Sequence, residues 1–303
     1  MAAGPRQQSD LIDGMLRVIW RLHGDRQLDF GSRVQILGVL NVTPDSLYDG
    51  GRYLDPQRGA DHALRLAHEG ADIIDIGGES SRPPVYGEAA PVTTEEECRR
   101  VVPVVEAIRR QSDIPISVDT VKTAVASRAL AAGADIINDI SAFEHESGAM
   151  ADVAARTGAP VILMHRRGTP LTMQQDTRYD DLAGEVRGYL AARLQFAQQR
   201  GIGADRVALD PGVGFGKSVD GNRELIRRAA EFGVGGCPVV IGASRKSFIW
   251  KPMGISPEEA LEGSLAAAVL AVAHGARALR VHDVAATVRA VRLAESIEAP
   301  VRG

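Results

Sequence analysis

Asp119, Asn138, Asp210 and Lys246 make a set suited to one kind of ligand: two anionic acceptors, an amide that donates and accepts, and a cation. A carboxylate binds adjacent N–H donors bidentately, much as it binds guanidinium, so an aminopyrimidinone edge suits these acids while Lys246 reaches a ring carbonyl or nitrogen. A flat, nitrogen-rich heterocycle is the expected ligand. Arg82, Arg280 and His282 form a second, cationic group, with Asn41 as a neutral oxygen ligand. That group suits a diphosphate accompanied by a magnesium ion that keeps several waters. The two groups together point to a heterocycle that carries a diphosphate.

Short apolar runs rich in Val, Ile and Leu end at or near these residues, and a helix-like stretch follows each run. The runs are Ile36 to Leu40 before Asn41, Ile73 to Ile76 before Gly77 to Arg82, Ile116 to Val118 before Asp119, and Ile136 and Ile137 before Asn138. Then come Val161 to Met164 before His165, Val207 to Leu209 before Asp210, Val239 to Ile241 before Gly242 to Lys246, and Leu279 to Val281 around Arg280, His282 and Asp283. Buried parallel strands alternating with helices predict an α/β fold, a closed (β/α)8 TIM barrel whose chemistry sits at the C-terminal strand ends. The polar terminators are therefore candidates for one shared site.

Helical tracts are expected at His62 to Glu69, Thr94 to Gln111, Val121 to Ala132, Met150 to Arg156, Asp180 to Arg200, Asn222 to Phe232, Pro257 to His274 and Val284 to Ile297. In the fifth, Leu182, Val186, Tyr189, Leu190, Leu194 and Ala197 share one face, and Gly201 is the stop. Leu16 to Phe30 carries a His23-Gly24-Asp25 turn signal, which predicts a hairpin plugging the N-terminal mouth of the barrel. We expect an N-terminal extension over 1–33 and one barrel domain over 34–298. The long connections Val42 to Tyr53 and Glu79 to Thr93 read as loops that cover or complete the site.

At 303 residues the chain slightly exceeds the roughly 250 typical of such a barrel, so no second domain is expected. With 45% hydrophobic residues it can bury a sizeable core, and its sequence has no apolar run long enough to span a membrane. A net charge of −4 without a dense basic run gives no footprint for nucleic acid. Met1 to Asp10 lacks the apolar region of a secretory signal, and two cysteines, Cys98 and Cys237, argue against a disulfide framework. A cytoplasmic protein is expected.

Plainer roles compete for some of these residues. Asp75 also reads as a hydrogen-bonded barrel carboxylate, and His165 as a residue that orients backbone. His62, His68, His145 and His274 are expected to face solvent. Gly212 to Ser218 resembles a phosphate-binding loop, but three residues separate Gly212 from Gly216 where four are needed. A metal-dependent hydrolase is disfavoured because the first strand ends in Asn41 without a His-x-His pair.

From about Gln35 to Val291 the sequence resembles the dihydropteroate synthase family. The resemblance is carried in order by Gly38 to Ser46, Ile74 to Pro83, Ser117 to Thr120, Ile137 to Asp139, Leu163 to His165, Asp210 to Lys217, Gly242 to Phe248 and Arg280 to Val284. It implies a barrel, usually a homodimer, that condenses 6-hydroxymethyl-7,8-dihydropterin diphosphate with p-aminobenzoate, the step that sulfa and sulfone analogues target. It further implies that Asp119, Asn138, Asp210 and Lys246 hold the pterin, with Asp75 in the pocket floor. Asn41, Ser81, Arg82, Arg280 and His282 would hold the diphosphate and its Mg2+, Asn41 as metal ligand, with Arg82, Lys246, Arg280 and His282 acting in catalysis. Leu47, Tyr48, Asp49, Pro83, Pro84, Phe215 and Ser247 would form the aminobenzoate side and lids.

Departures from the family cluster on that last side. Leu47 replaces the usual phenylalanine and removes ring-on-ring packing worth about 0.5 to 1.5 kcal/mol. Tyr48 adds bulk, and Pro84 stands for glycine, restricting its own φ and biasing Pro83 toward extended backbone. Ala142-Phe143 replaces glycines, Trp250-Lys251-Pro252 follows Ser-Phe-Ile where glycine is usual, and Ser81 replaces threonine. The pattern resembles the divergent second synthase copies of some actinobacteria and predicts weak or absent condensation. The alternatives are a fully active synthase and a methyltetrahydrofolate-binding methyl carrier barrel, the latter disfavoured because such a carrier has no diphosphate to bind.

Overall fold

Branched apolar residues suit strands buried on both faces, and the chain uses them to build one parallel sheet closed on itself. The computed structural model describes residues 18–43, 48–49, 53–79, 92–168, 172–173 and 175–298. Its strands are β1 (Ile19–Arg21), β2 (Gln27–Asp29), β3 (Gln35–Asn41), β4 (Tyr48–Asp49), β5 (Tyr53–Leu54), β6 (Ile73–Gly77), β7 (Ile116–Asp119), β8 (Ile136–Asp139), β9 (Val161–Met164), β10 (Val207–Asp210), β11 (Val240–Ile241) and β12 (Ala278–Val281). Eight of these hydrogen-bond in the order β10-β9-β8-β7-β6-β3-β12-β11, and a parallel bridge from Leu209 to Val239 brings β10 onto β11. The fold is a (β/α)8 TIM barrel.

The helices are α1 (Pro56–His68), α2 (Thr94–Arg109), α3 (Thr123–Ala131), α4 (Ala149–Thr157), α5 (Leu182–Gln199), α6 (Val219–Arg227), α7 (Ser247–Met253), α8 (Leu261–Ala273) and α9 (Val284–Glu298). Capping explains where the observed ends differ from the expected ones. Asp55 accepts from the Gln57 N–H and Pro56 takes the first position, so α1 begins before His62. Ser218 caps α6 through the Gly221 N–H, which moves its start back from Asn222, and residues 229–232 continue as a separate 3-10 turn. Two features were not anticipated: the short helix α7, and the antiparallel β4–β5 pair inside the first long connection. His62 and His274 are half-buried, not solvent-facing as expected.

The hairpin forms as expected, with Trp20 opposite Leu28. Trp20, Leu22, Leu28 and Phe30 are buried and cluster with Leu37, Ile73, Ile136, Ile162, Ala208, Val240 and Ala278. Ile36, Ile74, Ile76, Ile116, Val118, Ile137, Val161, Leu163, Val207, Leu209, Ile241 and Leu279 belong to a second cluster that includes the helices. Alternation along each strand therefore sends one set of side chains into the barrel and the other toward the helices. The lower layer of the barrel interior is apolar and closed by Trp20 and Phe30, whose rings meet edge to face at 4.8 Å.

Candidate active site

The same period of two builds the upper layer. Asp75 lies two residues beyond Ile73, Asn138 beyond Ile136, Asp210 beyond Ala208 and Arg280 beyond Ala278, so each faces inward at the C-terminal end of its strand. Asp119 stands at the end of β7, opposite Gly77 in the register with β6. Asp75 is fully buried, Asn138 and Asp210 nearly so.

Arg280 ties this layer together. Its Nε donates to Asp75 Oδ2 at 2.6 Å and its Nη2 to Asp119 Oδ2 at 2.7 Å. The Asn138 amide lies 3.3 Å from both Asp75 oxygens. Burial pushes the Asp119 carboxyl up to about 7, with Arg280 pulling the other way and the Asp75 carboxylate adding to the rise. Asp210 is also raised by burial, opposed by Lys246 and by the Gly212 N–H, which donates to Asp210 Oδ1 at 2.7 Å.

Lys246 follows β11 and leans over the same pocket. Its Nζ donates to the Val213 carbonyl and sits 4.4 Å from the centre of the Phe215 ring. Burial lowers its pKa to about 8 against the pull of Asp210. Ser247 begins α7 beside it, half-buried like Phe215. His282 receives the Ser244 hydroxyl on two sides: its backbone N–H donates to Ser244 Oγ at 3.2 Å, and its Nδ1 lies 3.1 Å from the same oxygen. The Ser244 hydroxyl therefore fixes both the backbone and the ring edge of His282.

Asn41 ends β3 beside Gly77. A side-chain carbon on Gly77 would lie 3.8 Å from Asp119 Oδ2 and 3.9 Å from Asn41 Oδ1, so the missing side chain leaves a space bounded by these two oxygens. Among the described residues no group of three or more His, Cys, Asp and Glu side chains could hold a metal ion. A cation here would be held by Asn41 together with oxygens from a ligand and water, which suits magnesium.

Support for the site comes from Lys217 and Asp139, to which the sequence assigned no role, and from His165, which it read as orienting backbone. Lys217, the lysine of the rejected phosphate-loop string, is buried and donates to Gly212 O at 2.8 Å, to His165 O at 3.1 Å and to His165 Nδ1 at 2.8 Å. Burial lowers its pKa well below the usual lysine value, and burial with Lys217 and Arg167 nearby lowers His165 to about 3. The pair is a fastener between β9 and the turn after β10. Gly212 is required in that turn, since its φ is 72° and a side-chain carbon would fall 1.8 Å from the His165 carbonyl oxygen. Its sequence signal was the glycine-rich run from Gly212 to Lys217.

Asp139 organises the turn after β8. Its oxygens accept from Ser141 N at 2.8 Å, Ser141 Oγ at 2.6 Å and Phe143 N at 2.8 Å. Ala142 and Phe143 hold the left-handed angles 47° and 67° that glycines would adopt more easily, and both are buried. The three hydrogen bonds to Asp139 hold the turn with these non-glycine residues in it.

Leu47, Ser81, Arg82, Pro83 and Pro84 lie outside the described residues, and Tyr48 and Asp49 are described only as backbone in β4. The roots of the second long connection are anchored. Glu79 Oε1 accepts from Val92 N at 3.2 Å, and Lys122 Nζ lies 2.5 Å from both Glu79 and Glu97.

Comparison with known proteins places this arrangement among others. The family model of pterin binding enzymes matches residues 37–282. The dihydropteroate synthase of Escherichia coli is 46% identical over 265 residues, 88% of this chain and 92% of that protein. A Yersinia pestis dihydropteroate synthase solved as a sulfonamide drug complex superposes with a TM-score of 0.85 at 40% identity, covering 93% of this chain and 100% of that one. The Xanthomonas albilineans dihydropteroate synthase solved with 4-aminobenzoic acid gives 0.83 at 42% identity over 91% and 97% of the two chains.

Proposed function

The chain belongs to the dihydropteroate synthase family of pterin-binding enzymes, and we propose that it binds 6-hydroxymethyl-7,8-dihydropterin diphosphate and joins it to p-aminobenzoate at a reduced rate. The observation that carries the reading is the upper barrel layer, in which Asp119, Asn138, Asp210, Lys246 and Arg280 converge over Asp75. The carboxylates accept the N–H donors of the aminopyrimidinone, and Lys246 takes its carbonyl or ring nitrogen. Arg280 and His282, with Ser81 and Arg82, bind the diphosphate.

In the reaction the bond from the pterin methylene carbon to the diphosphate oxygen breaks, a bond to the arylamine nitrogen forms, and that nitrogen gives up one proton to solvent. The pterin ring spreads positive charge developing at the methylene, and the cations hold the departing diphosphate. Asn41 would hold Mg2+ beside the substrate, where the ion would further neutralise the charge on that diphosphate. No protein nucleophile is needed, because a neutral arylamine is itself nucleophilic. Leu47, Tyr48, Asp49, Pro83, Pro84, Phe215 and Ser247 position it and exclude water. The reduced rate follows from Leu47 and Pro84, where the lids depart from the family pattern.

A second reading, full synthase activity, is favoured by the turn after β8, where Ala142 and Phe143 are buried in a turn that Asp139 holds by three hydrogen bonds. Calorimetry with the pterin diphosphate and a steady-state assay with p-aminobenzoate decide between them. Turnover at the rate of an ordinary family member removes the reduced-rate reading; failure to bind the diphosphate removes both. Sulfa and sulfone analogues should compete with p-aminobenzoate in either case.

The assembly we propose is a homodimer, with 34–298 as the pterin-binding barrel and 1–33 as its extension. Leu270 on α8 and Leu293 and Ile297 on α9, two helices that pack on each other, are large exposed apolar side chains. A cytoplasmic location is supported by Cys98 and Cys237, both free thiols. Among the described residues no helix is long and apolar enough to cross a membrane.

A further inference from the structure

Arg245, between Ser244 and Lys246, holds a left-handed backbone angle of 55°. Non-glycine residues rarely adopt this conformation, and it persists where surrounding contacts enforce it. Those contacts are present. The Arg245 N–H donates to Ser264 Oγ at 2.9 Å, and Nη1 donates to the Pro257 and Glu258 carbonyls, each at 3.1 Å. The remaining edge of the guanidinium forks onto Asp283, Nε to Oδ2 at 2.8 Å and Nη2 to Oδ1 at 2.7 Å.

Two neighbouring residues after β11 thus grip two neighbouring residues after β12. Ser244 meets His282, and Arg245 meets Asp283. The left-handed turn also separates two consecutive cations. Arg245 goes to Asp283, while Lys246 goes to the Val213 carbonyl and the Phe215 ring.

We propose that Arg245 and Asp283 are positioning residues, whose forked ion pair sets Lys246 at the pterin end and His282 at the diphosphate end in fixed relation to each other. Neither acts by touching the ligand. The inference rests on the pterin diphosphate reading of the site, and the coupling itself is measurable without any ligand.

The test uses the full chain in three forms: Arg245→Lys, which keeps the charge but loses the fork, Asp283→Asn, and the two combined. Asp283→Glu gives the same information should Asp283→Asn fail to fold. Nitrogen-15 signals of the His282 ring, assigned by their loss in His282→Gln, report its setting in the ligand-free protein. They shift in each clamp variant and stay in place in Arg292→Lys, which alters an ion pair with Glu295 farther along α9.

Calorimetry with 6-hydroxymethyl-7,8-dihydropterin diphosphate then shows binding weaker by on the order of tenfold in each single variant, with no further loss in the double variant, because the pair acts as one unit. Unmoved His282 signals, wild-type affinity in the single variants, or losses that add in the double variant overturn the proposal. If the wild-type protein does not bind the diphosphate while the His282 signals still move, the reading of the site falls and the coupling stands.

Discussion

Arg280 reaches from β12 across the barrel mouth to Asp75 on β6, and its Nε meets the fully buried carboxylate at 2.6 Å. The same guanidinium holds Asp119 on β7. One guanidinium thus neutralises two acids of the upper barrel layer, and on the proposed reading, in which it also binds the diphosphate, it links substrate binding to barrel stability.

Replacing Arg280 with Met should expose that link. Removing one partner of a buried pair leaves an uncompensated charge and costs about 3 to 5 kcal/mol; the Arg280 side chain is 23% exposed, so we expect about 3 kcal/mol. Urea unfolding measures it. A loss of less than roughly 1 kcal/mol would show that the Arg280–Asp75 pair contributes little to stability.

Ligand affinity should depend on pH in two directions. Asp119, raised to about 7, gains its charge as pH climbs through that value, and Lys246, lowered to about 8, loses its charge above it. Pterin binding that uses the carboxylate and the ammonium should therefore peak between these values and weaken on either side. Calorimetry between about pH 6 and about pH 9 tests this, and in Lys246→Met the high-pH limb should vanish.

Leu47→Phe combined with Pro84→Gly puts back the residues that the family resemblance leads us to expect at these two positions. Ring packing alone is worth about 0.5 to 1.5 kcal/mol, so kcat/KM for p-aminobenzoate should rise by roughly twofold to tenfold. Pterin diphosphate affinity should change little. A double variant no faster than the parent would leave the lid explanation without support.

The hairpin plug should contribute strongly to stability. Trp20 is only 1% exposed at the closed end of the barrel, and Trp20→Ala should cost about 3 to 5 kcal/mol. Denaturant unfolding reads the loss directly. A cost below roughly 1 kcal/mol would mean that the barrel closes as well without it.

Leu270→Glu places a charge on the exposed apolar surface of α8. If this surface joins two copies, sedimentation should shift from dimer to monomer with the barrel still folded. A dimer that survives the charge locates the interface elsewhere.

Much of the fold was legible in the sequence because its signals are local. Apolar runs ending in Asn41, Asp119, Asn138 and Asp210 marked strands and their C-terminal ends, and Leu182 to Ala197 marked a helix face by its spacing. Helix ends were less legible: α1 and α6 start at caps, Asp55 and Ser218, whose hydrogen bonds a periodicity reading does not weigh.

The sequence by itself determined which chemistry was available. Period-two alternation puts Asp75, Asn138, Asp210 and Arg280 on the inward side of their strands, and barrel closure then brings all four to one face. Only the tertiary structure decided how those groups pair. Arg280 and Asp75 are 205 residues apart in the chain, and their contact arises because β12 and β6 flank β3 in the closed sheet. Arg245 and Lys246 are identical in charge and adjacent in sequence, yet a left-handed turn sends one to Asp283 and the other to the Val213 carbonyl and the Phe215 ring. Composition specifies the charges; through-space geometry after closure assigns each one its partner.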